Sequence, residues 1–484
     1  MEFLHELIND VNGVIWTYII IWALLGLGVF FTVKTGFVQL KMFPEMIRLI
    51  TKTAGSKTTG HEINGFQAFC VSTASRVGVG NIAGVAIAIV TGGPGAVFWM
   101  WLIALIGSAT EYVESTLAQI YKLPRGNGKF HGGPAYYIKN ALGQPNVAKL
   151  FAVLISVTFG LIYSSVQANT IALSVNTAFG IDVTVTALIL AVMTAAVIFG
   201  GMHRIAKVTE FLVPIMAGIY LMAAFVIIVM NIEKVPGMFY LIVHDAFSPQ
   251  AAVGGGFATV FMTGVRRGLF SNEAGEGSVP NAAATATGAH PVRQGLIQAF
   301  GVYVDTIFVC TATAFTVLLT DAYTIGGELT GVELAQASMA SVFGTAATDL
   351  LAIIVFMFAF SSIVGNYYYG EINVAFFEGD ESGGEPSVLA KRSLLAFRIL
   401  VVFMVIFGSL AELSFVWDSA DLFMGFLCLT NLYAIARLGK YSFIALRDYM
   451  QQKSNGVTEP VFNPSVLPNQ AGIYAWDKSD KVDV

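Results

Sequence analysis

Charge is what this sequence has least of. Only 12% of its 484 residues are charged and 56% are hydrophobic, whereas a soluble globular domain carries about a quarter charged residues. An ordinary soluble enzyme is thereby excluded. Cysteine is nearly absent too: Cys70, Cys310 and Cys428 all lie in apolar runs, which gives neither a disulfide framework nor a metal-ligand spacing. They read as packing residues. With 26 basic residues against 31 acidic, net charge −5, no dense Lys/Arg block is present to neutralise phosphates, so nucleic acid is excluded as a partner. No His-Glu-x-x-His zinc motif and no Gly-x-x-x-x-Gly-Lys-Ser/Thr nucleotide loop occurs, so an intramembrane enzyme is disfavoured and nothing asks for a cofactor. Nor does any feature imply an obligatory protein partner. Strand-like alternation is missing, which excludes a β-barrel. The mean hydropathy of +0.71 points to the lipid bilayer as the solvent of the chain.

What is present is a series of long apolar runs. A helical crossing takes ~20 mostly apolar residues, and eleven such segments are expected near 14–33, 65–90, 96–120, 150–175, 183–200, 211–230, 254–287, 295–319, 345–370, 394–411 and 417–437. The acidic start of the chain lacks the basic n-region of a cleaved signal peptide, so the first run is expected to stay. Short loops rich in Lys and Arg remain cytoplasmic. Loop 34–63 carries Lys34, Lys41, Arg48, Lys52 and Lys57, loop 121–149 carries Lys122, Arg125, Lys129, Lys139 and Lys149, and the 201–210 turn carries His203, Arg204 and Lys207. The opposite loops are acidic, with Asp321, Glu328, Glu333 and Asp349 in 320–349. The expected topology is therefore an all-α polytopic membrane protein with the N-terminus out and the C-terminus in. Its tail, beyond about 450, is polar and expected to be mobile.

Two segments contain what a helix in lipid should avoid. The second holds Ser75-Arg76-Val77-Gly78-Val79-Gly80-Asn81, and the seventh holds Gly268-Leu269-Phe270-Ser271-Asn272-Glu273-Ala274-Gly275-Glu276-Gly277. Glycine frees the backbone, and charges at bilayer depth must pair or line an aqueous cavity, so each stretch should interrupt its helix. The breaks are five helices apart. If segments 2–6 and 7–11 are repeats, five being odd gives them opposite topology: one extra N-terminal helix, then two inverted five-helix repeats with broken first helices. The corresponding division is 1–63, 64–232, 233–440 and a tail 441–484. Broken helices at matching places mark a substrate site at the midplane. Gly84, Gly92 and Gly107, by contrast, read as packing glycines. A passive channel would want a continuous polar face instead of two isolated breaks.

The run Gly92-Gly93-Pro94-Gly95-Ala96-Val97-Phe98-Trp99-Met100-Trp101, with the two break motifs, resembles the bacterial and archaeal alanine or glycine:sodium symporters from about 10 to 445. That resemblance implies the amino acid–polyamine–organocation architecture, a prokaryotic plasma membrane, and sodium-coupled uptake of a small neutral amino acid, with sodium as coupling ion. Val77-Gly78-Val79-Gly80-Asn81 is also similar to the unwound first helix of neurotransmitter:sodium symporters. By resemblance, the N–H groups of Val79 and Gly80 would hold the substrate carboxylate, and Asn81 would orient carboxylate or cation. Sodium would take carbonyls of Ala74 and Val77 plus the hydroxyls of Ser361 and Ser362. Gln167 matches the family's pocket glutamine; an interhelical hydrogen bond is the alternative. Phe270 would cap the pocket, carbonyls around Phe270 and Ser271 would receive the substrate ammonium, and Ser362 would border the substrate.

One position departs from the pattern that the resemblance implies: Asn366 stands where many relatives carry tryptophan. A smaller amide should enlarge the pocket or add hydrogen bonding, extending the range to larger or more polar neutral amino acids such as serine or glutamine. The carboxylates Glu111, Glu114, Glu273, Glu276, Asp305 and Glu371 read either as a proton relay or as partners of Arg76, Arg266 and Arg267. The competing reading is a proton-coupled amino acid symporter on the same fold.

Overall fold

The computed structural model describes residues 2–55, 62–125, 129–200, 202–248, 256–320, 322–377 and 387–476. Lys57, Asp321, residues 254–255, residues 477–484 and the side chains of His203, Arg204 and Lys207 lie outside the described residues. Among the described residues, eight helices are long and apolar enough to cross a bilayer: Phe3–Lys34, Gly95–Ile120, Pro145–Phe179, Thr209–Met230, Pro291–Leu318, Ala346–Phe376, Val388–Leu410 and Leu413–Ser454. Of the other three expected segments, 183–200 is the apolar helix Val183–Ile198. The remaining two, 65–90 and 254–287, are interrupted. Among the described residues, strands are confined to Leu123–Pro124 paired antiparallel with Phe130–His131, and one isolated bridge joins Ile63 to Ala286.

The first interrupted helix begins with a capping box. Asn64 Oδ1 accepts from the Gln67 N–H at 2.8 Å, and Gln67 Oε1 accepts from the Asn64 N–H at 3.1 Å, which satisfies two of the orphan donors of a helix start. Gly65–Arg76 then stops at Val77 (φ −80°, ψ 75°), passes through extended Gly78 and one tight turn, Val79–Asn81, and resumes as Ala83–Gly92. The second interrupted helix runs Gly256–Asn272 and restarts as Val279–Ala283. Between them Glu273 (φ 58°), Gly275 (φ 99°) and Gly277 (φ 77°) all take left-handed backbone. Glycine does so freely, but Glu273 does so at a cost. Its carboxylate is held at both oxygens, by the hydroxyls of Ser75 at 2.9 Å and Ser278 at 2.6 Å, and this fixes the turn.

Gly92 and Gly107 behave as the packing reading expects. A Cβ on Gly92 would stand 3.2 Å from Ala96 and Thr263, and one on Gly107 would stand 3.1 Å from Ala274. All three cysteines are free and buried. The expectation of a mobile tail is corrected for the described residues: the last helix continues to Ser454, and residues 455–476 pack back on the bundle, with Phe462 and Leu467 buried. Two apolar side chains in a polar stretch suffice to dock it, and they leave no periodic signal.

Candidate functional site

The two breaks face each other, and the helices Pro145–Phe179 and Ala346–Phe376 close the space beside them. At the first break, the Val79 N–H donates to Gln167 Oε1 at 3.0 Å. A Cβ on Gly78 would run into the Ser362 hydroxyl and lie 2.9 Å from Gln167 Oε1, so only glycine lets the unwound backbone come this close. The Ser362 hydroxyl donates to the Ala74 carbonyl at 2.9 Å and the Ser361 hydroxyl reaches the same oxygen at 3.4 Å. Three of the four residues expected to hold sodium, Ala74, Ser361 and Ser362, thus come together through oxygen atoms, the ligand type a hard cation requires. Val77 adjoins them as the residue where the helix ends.

Asn81 is differently engaged. Its Oδ1 accepts from the Gly78 N–H at 3.2 Å, and its Nδ2 donates to Ser271 Oγ at 3.1 Å and to the Asp305 carbonyl at 2.9 Å. Ser271 in turn lies 2.9 Å from the Thr306 hydroxyl and 3.1 Å from Cys310 Sγ. In this conformation both side chains brace one break against the other. Phe270 does lie over the first break, since a Cβ on Gly80 would be 2.6 Å from its ring. Asn366 is buried beside Ser75, whose hydroxyl lies 2.7 Å from its Oδ1 and shares its one proton between that oxygen and Glu273. Its Nδ2 meets no acceptor among the described residues, an open donor at the edge of the site.

The buried carboxylates find three kinds of partner, of which only the Arg76 pair is one the sequence named. Asp305 pairs with Arg76 at 2.9 Å, both side chains fully buried, and Glu371 pairs with Arg398 at 3.2 Å. Glu114 instead accepts from the Gly275 N–H at 3.0 Å and from Asn431 Nδ2 at 2.6 Å, and Glu276 accepts from the Tyr163 hydroxyl at 3.1 Å. These carboxylates satisfy backbone and side-chain donors around the second break.

Several participants escaped sequence reasoning. The Tyr163 ring lies 4.7 Å from Phe270, and Trp417 lies 4.9 Å from it on another side. Arg267 stacks over Trp417 at 4.8 Å and forms an ion pair with Asp421. Asp421 was legible only as an acid near the start of an otherwise apolar segment. The residues named at the two breaks are buried, so the cluster is shut off from solvent, whereas Glu371 and Arg398 lie outside it and are partly exposed.

Two interrupted helices meet along a buried polar seam inside an apolar bundle. That arrangement defines a membrane transporter for a small solute. The model of the sodium:alanine symporter family matches residues 1–464, and the chain belongs to that family. It is 48% identical to the "Probable sodium/glutamine symporter GlnT" of Bacillus subtilis, over 99% of this chain and 97% of that one. It is 45% identical to the "Amino-acid carrier protein AlsT" of the same organism, over 98% of each chain. It is 37% identical to the "Sodium/alanine symporter AgcS" of Methanococcus maripaludis, over 90% of this chain and 95% of that one. The crystal structure of MhsT in complex with L-phenylalanine shares the fold, with a TM-score of 0.55 at 14% identity, covering 83% of this chain and 99% of that one. The protein is thus a multi-pass plasma-membrane transporter and a member of a symporter family.

Proposed function

We propose that the chain imports a small neutral amino acid together with sodium by alternating access. The carrying observation is the meeting of the Ser361 and Ser362 hydroxyls with the Ala74 carbonyl at the first break. There the lone pairs of those three oxygens and of the Val77 carbonyl hold sodium. The substrate carboxylate takes the N–H groups of Val79 and Gly80, displacing Gln167 Oε1 from Val79 and leaving Gln167 to bind the substrate. Phe270 roofs the pocket, the carbonyls of Phe270 and Ser271 receive the ammonium, Asn81 holds the turn, and Ser362 and Asn366 border the side chain. Asn366 extends the range from alanine and glycine to serine and glutamine. Sodium orders the unwound second segment against the ninth, the helix Ala346–Phe376, and so raises substrate affinity, and by reciprocity the substrate raises sodium affinity.

The proposed architecture has eleven crossings, the N-terminus out and the C-terminus in, with residues 64–232 and 233–440 as inverted repeats after the 1–63 segment. The packing of Glu45 on Tyr449 and of Gln119 on Trp476 supports this sidedness, since it gathers the basic loops and the tail on one face. The test is uptake of labelled neutral amino acids into proteoliposomes under sodium, proton or no gradient. Sodium-dependent uptake of at least one of them is expected. Uptake driven by a proton gradient and indifferent to sodium would replace this reading with proton coupling.

A further inference from the structure

Residues 455–476 cross one end of the bundle, at the place where the two broken helices meet. Just before the first of them, the Ile63 carbonyl accepts from the Thr287 N–H, which lies just beyond the second, at 2.9 Å. The tail lies along this seam. Gln452 and Val461 exchange two hydrogen bonds of 2.9 Å, which folds the tail back against the end of the last helix. The Phe462 N–H then donates to the Ala289 carbonyl at 2.9 Å. Glu459 binds three cations from two elements: Lys52 at 2.5 Å and Arg48 at 3.4 Å on the helix Phe43–Ala54, and Arg293 at 3.0 Å on the helix after the seam. Trp476 packs edge-on against Phe462, with centroids 5.2 Å apart, and donates its indole N–H to the Gln119 carbonyl at 2.9 Å. The Gln119 amide in turn donates to the carbonyls of Ala283 and Ala286.

A site sealed on both faces must open to each in turn. Opening toward the tail requires the half-helices Gly65–Arg76 and Val279–Ala283 to part, and Glu459 ties the helix before the first of them to the helix after the second, while Phe462 and Trp476 hold the tail across the seam. The contacts also suit reversible release, since half-exposed ion pairs and single aromatic edges are individually weak. From this juxtaposition we infer that residues 455–476 form a latch on the inner gate, which must let go before the site opens to the tail side and which thereby sets the balance between the two access states. The inference rests on the transport reading only in that access alternates.

The test is a reversible lock. In full-length protein carrying Ala289→Cys and Phe462→Cys, neighbours through that main-chain hydrogen bond, oxidation should close a disulfide. Sodium-driven uptake of L-alanine or L-glutamine should then fall about tenfold, recover on reduction, and leave equilibrium binding of the same amino acid in detergent unchanged. Oxidised protein transporting at the reduced rate would overturn the latch. Loosening it should do the opposite. In Trp476→Ala, a cysteine placed at Thr285 beside the seam should react about threefold faster with a methanethiosulfonate reagent than in the parent background. Equal rates would overturn the latch, even if the reduced protein took up no amino acid under any gradient, which would count against the transport reading alone.

Discussion

The Ser75 hydroxyl lies 2.7 Å from Asn366 Oδ1 and 2.9 Å from Glu273 Oε1, its one proton shared between two acceptors, so the Ala346–Phe376 helix is tied to the first break at the position where the family resemblance leads one to expect tryptophan. The helices are already in contact here, since a Cβ on Gly365 would stand 2.9 Å from the Ser75 nitrogen. An indole at 366 cannot accept from Ser75 and must swing into the pocket. Asn366→Trp should therefore lower the uptake of glutamine and serine relative to alanine by about tenfold, the scale set by a lost polar contact plus steric exclusion. Competition between labelled alanine and the two larger substrates measures it; an unchanged ratio would remove Asn366 from the pocket.

Glu45, outside the spans, governs a pH dependence whose sign can be worked out. Burial pushes its carboxyl up, but hydrogen bonds from Arg48 at 2.7 Å and Tyr449 at 2.6 Å outweigh burial and bring it down to about 2 from its ordinary 4.5. A carboxyl depressed on folding contributes stability that is complete above the ordinary value and is lost as pH falls toward the depressed one. Between about pH 5 and pH 3 the apparent Tm of the parent should fall more steeply than that of Glu45→Gln. The difference should stay under about 1 kcal/mol, because Arg48 is partly exposed and screened. Thermal denaturation in detergent across that range tests it; parallel slopes would contradict it.

The broken helices were legible because glycine sits beside arginine, asparagine and glutamate where lipid demands an apolar helix, a conflict visible within seven residues. Ser361 and Ser362 were legible only by resemblance, because two adjacent hydroxyls in an apolar run carry no pattern of their own. The partners were not legible. Arg267 finds Asp421 across 154 residues, Glu114 finds the Gly275 N–H across 161, and no spacing rule connects either pair. The docked tail was hidden for a related reason. Phe462 and Trp476 are isolated apolar residues whose partners, Ala289 and Gln119, lie far back in the chain.

The Arg76–Asp305 pair holds the first broken helix to the helix Pro291–Leu318, and both side chains are fully buried. Arg76 also donates to the Gln298 carbonyl at 3.3 Å. Removing one charge leaves the other desolvated and uncompensated, which costs about 3–5 kcal/mol, whereas replacing both with apolar groups of similar volume can be nearly neutral. Asp305→Asn should therefore lower the apparent Tm sharply, and Arg76→Met with Asp305→Leu should recover much of the loss. If the double variant is no more stable than the single, the pair does more than compensate charge.

Gly78 offers the sharpest separation of binding from folding. Its backbone (φ −122°, ψ −155°) is open to any residue, so an alanine there is opposed by contact alone. Its methyl would have to displace the Ser362 hydroxyl and the Gln167 amide, one proposed for sodium and the other for substrate. Gly78→Ala should weaken sodium-dependent substrate binding by about a hundredfold, equivalent to ~2.7 kcal/mol. Size-exclusion behaviour and thermal stability should change far less, because the atoms the methyl meets are side-chain ends and not backbone. Gly26→Ala, where a Cβ meets nothing within 4 Å, is the matched control and should bind as the parent does. Binding isotherms for the three proteins in sodium and in potassium decide the matter. A Gly78→Ala protein that binds normally would mean that sodium and substrate do not meet at the first break.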